Sequence, residues 1–126
     1  MLTDRAFKLR FCIMFSVLFV SSFSIATAEE GQHRSLLRTA IEAAARGECP
    51  QKLMAPLLVS ACEDQQPSIG TRINSLGKIN RLKYMGNQAS QMGEAEVYRV
   101  IHERGSMTWM INTDSNGKIL VFYTPG

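Results

Sequence analysis

The chain is expected to fold as an α+β domain, with N-terminal helices packed on a curved four-stranded antiparallel sheet. Three observations lead there. Apolar residues recur at helical spacing as far as Leu76, the period shortens to two after Gly77, and short turn sequences divide the later apolar runs. Helices first and strands afterwards are the pattern of segregated α and β layers.

The first residues read as an export signal. Arg5, Lys8 and Arg10 outnumber the single acid Asp4, and an uncharged run of 18 residues follows from Phe11 to Ala28. Its second half is rich in Ser, Ala and Thr and ends Ala26-Thr27-Ala28, the small-x-small form of a cleavage site. The competing reading is a membrane anchor, since 18 residues lie near the lower limit for spanning. Polar and small residues at the end of the run favour cleavage near Ala28, and Cys12 lies too far upstream for lipidation. Residues 1–28 are therefore expected to be removed and residues 29–126 to form one domain. That leaves 98 of the 126 residues, enough for a modest core. A periplasmic or secreted protein follows, with no membrane association once the signal is gone.

From His33 to Arg46, Leu36, Leu37, Ala40, Ile41 and Ala44 make one apolar stripe of a helix that Gly47 can terminate. Arg34 and Arg38 fall on its expected solvent side. Pro56 suits a first helical turn. Leu58, Ala61, Cys62, Gln65, Ile69, Ile73 and Leu76 then keep helical phase, with a break or kink at Pro67. Gly70 weakens the second half, and Gly77 stops it. Leu82 and Tyr84 alternate with Arg81 and Lys83 as a half-exposed strand. GNQASQMG reads as a loop, Ala95–Glu103 as a second strand, Met107–Thr113 as a third and Ile119–Thr124 as a fourth. Arg104-Gly105 and Asp114-Ser115-Asn116-Gly117 supply the turns, the latter through the positive φ that Asn-Gly accepts.

Two cysteines remain after the signal, Cys49 and Cys62, separated by 13 positions. In an exported chain they read as a disulfide, worth about 3 kcal/mol in the chain-entropy model. A zinc site would need four ligands, and only His33 and His102 could join the pair, so no metal and no cofactor is expected. Three of the 14 basic residues and one of the 11 acids lie in the signal, leaving a net charge of +1. With no Lys/Arg cluster left that could neutralise several phosphates in a row, nucleic-acid binding has little support.

LGKINRLKYMG and GEAEVYRVIHERGSMTWMINTDSNGKI carry a resemblance. The Leu-Gly helix ending, the Tyr-x-Val strand, the Gly-Ser-x-x-Trp strand and the Asp-x-x-Gly-Lys-Ile hairpin resemble small exported bacterial modules of the cystatin-like and nuclear-transport-factor-like roll. The likeness covers about residues 54–126. Such modules also occur beside serine hydrolases. These are marks of architecture, and the resemblance transfers no catalytic residue.

The polar turns offer His102, Glu103, Arg104, Asp114 and Asn116 as candidate partner-binding residues. Neighbours on a strand point to opposite faces, so His102 and Glu103 do not naturally converge as an acid–base pair, and solvated hairpin charges are the plainer reading. Tyr98, Met107, Trp109 and Ile111 are candidates for a pocket wall, with a buried core as the plainer reading of Trp109. Met85, Met92, Met107 and Met110 read chiefly as core filling. The expected function is an exported, non-catalytic protein-binding module, an inhibitor or immunity-type partner of a secreted or cell-wall-acting enzyme. The alternatives are a small-ligand-binding or enzymatic roll with a pocket behind Trp109, and an auxiliary module of an exported hydrolase.

Overall fold

The computed structural model describes residues 31–126, which form one compact unit. The signal expected over residues 1–28 lies outside them. Three helices, α1 (Arg34–Ala45), α2 (Pro56–Gln65) and α3 (Ser68–Leu76), precede four strands, β1 (Ile79–Ser90), β2 (Gly93–His102), β3 (Gly105–Thr113) and β4 (Ile119–Tyr123). The strands form an open antiparallel sheet in the order β1-β2-β3-β4. The α+β architecture is as the sequence predicts.

Helix α1 buries the stripe that the spacing gives, with Leu37, Ala40, Ile41 and Ala44 fully inside. It has no acid in its first turn and no local side-chain cap. Glu96, on β2, supplies both: its carboxylate accepts from the backbone N–H groups of Gln32 (2.7 Å) and His33 (3.0 Å). A negative charge there also suits the positive end of the helix dipole. At the other end Gly47 (φ 81°) permits a Schellman closure, in which Gly47 N–H donates to Ala44 O and Glu48 N–H to Ala43 O. Arg34 corrects the expectation of a solvent-facing basic row. It is half-buried, donates to the Leu82 carbonyl, and sits 5.5 Å from the Tyr98 ring centroid.

Pro67 separates two helices rather than kinking one, and Gln66 before it is extended (ψ 146°) with a cis bond to the proline. Gly70 has a positive role. A Cβ there would come within 2.8 Å of Ala44 O, so its absence lets α3 approach the end of α1. Gln66 Nε2 and Asn74 Nδ2 use that approach to donate to the Ala44 and Ala45 carbonyls, at 3.2 and 2.7 Å.

The disulfide joins Cys49 to Cys62, with Cα atoms 5.9 Å apart. It closes a loop whose middle pairs with the sheet. Ile119 N–H donates to Leu53 O, and Ala55 N–H donates to Ile119 O.

One expectation fails along β1. Residues 86–90, read as loop, continue the strand and pair with residues 93–97, closing at Ser90 opposite Gly93. Their Asn, Gln and Ser are poor strand formers by propensity, but a paired backbone overrides propensity. A register shift between Tyr84 and Gly86 sets Met85 apart as a bulge. Val100, Met107, Trp109 and Ile111 fill the core between sheet and helices.

Candidate functional site

The first group of expected partner-binding residues is tied to the end of α3. His102 is buried, at 3% exposure, and its Nδ1–H donates to Gly77 O at 2.8 Å. Glu103 Oε1 accepts from Lys78 N–H at 3.0 Å, and Arg104 Nε donates to Ser75 O at 2.9 Å. Gly77 (φ 84°) leaves room for this, because any Cβ there would collide with the Glu103 side chain. His102-Glu103-Arg104 therefore fastens the β2–β3 hairpin to the carbonyl end of α3; buried His102 departs from the reading as solvated charges, while Glu103 and Arg104 remain exposed. The missed signal was the Leu-Gly helix ending, whose last carbonyls need donors.

His102 and Glu103 do border one hollow of about 520 Å³, beside Glu42, Ile73 and Asn74. Each side chain is turned to a different backbone group, so the pair is placed for holding the hairpin. His102 Nε2 is buried without a partner among the described residues.

Asp114 is likewise used locally. Its Oδ1 accepts from Asn116 N–H (2.8 Å) and Lys118 N–H (2.9 Å), which shapes the turn before Gly117. This turn lies beyond the far end of the nine-residue β3, roughly 30 Å from Arg104 at about 3.3 Å per residue. The five expected partner-binding residues thus do not form one patch.

Of the four expected pocket residues, Trp109 borders a cavity, and Tyr98, Met107 and Ile111 lie packed in the core. The cavity, of about 110 Å³, sits between α2 and the β3–β4 side of the sheet. Leu58, Cys62, Ile69 and Phe122 line it together with Trp109. Trp109 stacks on Phe122, with ring centroids 4.5 Å apart and 18° between planes. Its Nε1–H is buried and has no acceptor among the described residues. Tyr98 carries a different polar load. Its hydroxyl donates to Glu96 at 2.8 Å, and burial, helped by that bond, pushes the phenol's pKa well up.

The residues that sequence reasoning passed over lie on the sheet face away from the helices. Strand alternation places Arg81, Lys83, Arg99, Val97, Ile101, Met110 and Tyr123 there. Lys83 stands directly opposite Arg99, Arg81 opposite Ile101, and Val97, Met110 and Tyr123 run in one row across three strands. Arg81, Lys83 and Arg99 are exposed and make no ion pair among the described residues. Glu96, which could have neutralised them, is turned to the helix side. The methionines follow the same division. Met107 is buried, but Met85 (54% exposed) and Met92 (47%) face solvent and Met110 is half-buried, so core filling holds for one of the four. The signal available in the sequence was the alternation Arg-Leu-Lys-Tyr and Val-Tyr-Arg-Val, which sends every cation of both strands to one face.

No group of three or more His, Cys, Asp or Glu is placed to hold a metal among the described residues, and no described helix is long and apolar enough to cross a membrane. No family model matches the chain, nor does any curated protein or any solved structure.

Proposed function

We propose that this protein is an exported, non-catalytic protein-binding module that grips an acidic partner segment through the open face of its sheet. The observation that carries this reading is the Lys83–Arg99 cross-strand pair. Like charges directly opposite are destabilising. An acidic segment laid against this pair and a third cation, Arg81, would relieve that repulsion. The apolar row of Val97, Met110 and Tyr123 and the adaptable Met85 add contact area next to the charges. Charge complementarity of this kind steers encounter and sets register. The disulfide fits an oxidising compartment, the periplasm or the exterior, and the export signal read in residues 1–28 agrees with it. An inhibitor or immunity-type partner of a secreted or cell-wall-acting enzyme suits so small a module, and a standing companion of an exported hydrolase would use the same face.

The test is capture from periplasmic extract with residues 29–126 as bait, in parallel with a Lys83→Glu, Arg99→Glu bait of equal thermal stability. An acidic partner held by the first bait, released by salt and missing from the second, is the expected result. Equal retention by both baits would overturn this face as the contact surface. Hydrolytic activity that follows His102 would overturn the non-enzyme reading itself.

A further inference from the structure

We infer that the acidic partner segment binds as a fifth strand, laid antiparallel along the outer edge of β1, with carboxylates at alternate positions. The inference rests on the acidic-partner reading above and adds how the segment is held.

The backbone comes first. β1 is an outermost strand of the open sheet, 12 residues long, and no described strand pairs with its far side. Opposite residues of an antiparallel pair alternate between bonding each other and turning their N–H and C=O groups outward. Two observations set the phase. Arg34 donates to Leu82 O, so that carbonyl is turned away from β2. Register is unbroken from Arg81 to Tyr84, and Tyr84 therefore repeats Leu82. At the other end Ser90 and Gly93 close a two-residue turn as a bonded pair, which leaves Ala89 and Asn87 outward. Tyr84, Asn87 and Ala89 thus present donors and acceptors along one edge, and an extended chain is what meets such a row.

Side chains come next. Residues of an added strand that exchange bonds with Tyr84 share its helix side, and their neighbours fall on the open face beside exposed Arg81 and Lys83, with Arg99 one strand further in. Carboxylates at every second position therefore meet the cations. The same cations reject other occupants. Lys on an edge strand guards against chance pairing, and a second copy of this chain would bring its own Arg81 and Lys83 to the same face. An acidic strand turns that guard into selection. Direction follows from Arg34. A parallel strand would need Leu82 O together with Tyr84 N–H, and Leu82 O already accepts from Arg34, whereas an antiparallel strand needs Tyr84 alone.

The probe is acetyl-Thr-Glu-Thr-Glu-Thr-Glu-Thr-amide, titrated into residues 29–126 while backbone amide exchange is followed by nuclear magnetic resonance. It should bind saturably, and the amides of Tyr84, Asn87 and Ala89 should gain protection. N-methylation of its two inner Thr residues should weaken binding about tenfold or more, the margin of two ordinary hydrogen bonds, since those N–H groups face β1. N-methylation of its Glu residues should leave the affinity nearly unchanged, because those N–H groups face away. The folded Lys83→Glu, Arg99→Glu protein should lose the peptide. Equal affinity of the two methylated peptides, with no protection on β1, would overturn edge pairing and leave the acidic-partner reading standing. The reverse preference would overturn the antiparallel direction, and no saturable binding would overturn the edge site. Binding undiminished in the Lys83→Glu, Arg99→Glu protein would overturn the acidic-partner reading and this inference with it.

Discussion

Glu96 links parts of the chain that no local pattern connects. Its carboxylate caps α1 and accepts from the Tyr98 hydroxyl, so one acid serves a helix end and a buried phenol. Glu96→Ala should lower stability by about 1–2 kcal/mol, as removal of a helix cap commonly does, measurable by denaturant unfolding. Tyr98 gives a pH signature. Its pKa lies well above the ordinary 10.0 because burial opposes the phenolate. As pH climbs past about 10 the unfolded chain releases this proton first, so unfolding gains and stability falls. The contribution is intact below that pH and is lost on the alkaline side. Comparing denaturant midpoints at about pH 8 and pH 11 should therefore show a larger loss for the natural protein than for Tyr98→Phe. The Glu103→Ala, Arg104→Ala pair should also destabilise, but only by about 1 kcal/mol or less, since these bonds are exposed and water can replace them. Unfolding indistinguishable from the parent would mean that the hairpin is held to α3 by packing alone. None of these roles was legible from neighbours. Glu96 lies 64 positions from Gln32, and His102 lies 25 from Gly77.

Local pattern succeeded where one segment settles its own fate. The α1 stripe, the Gly47 stop and the Asp114–Gly117 turn all rest on contacts within a few residues, and the structure bears them out. It failed where a partner strand decides, as in residues 86–90, whose polar side chains give no strand signal until Gly93–Val97 pairs with them. The basic face is an intermediate case. Alternation on each strand was visible, but only the register sets Lys83 opposite Arg99. That register makes an unusual prediction. Lys83→Glu should raise stability, by about 0.2–1 kcal/mol, because an opposite-charge pair replaces a like-charge one. The same change should weaken binding of the proposed partner. Thermal unfolding and binding measured on one preparation would show the two effects moving in opposite directions.

Across the whole domain the sheet has two unlike sides. One is dry and built around Trp109, which is 1% exposed, and Trp109→Ala should cost about 3–5 kcal/mol if the indole packs as a core anchor. The other is wet, cationic and interrupted by apolar side chains. The candidate pocket behind Trp109 was legible as a face, from the alternation of Met107, Trp109 and Ile111. Its actual walls were not, because α2 and Phe122 come from segments whose relation to β3 only the tertiary fold defines.

The loop closed by Cys49 and Cys62 holds both backbone bonds to Ile119, and Ile119 opens the last strand. With the thiols reduced, the clasp on β4 slackens, because the segment that holds both Ile119 bonds is no longer closed into a loop. Oxidation of the pair would act as a latch that sets β4 in place.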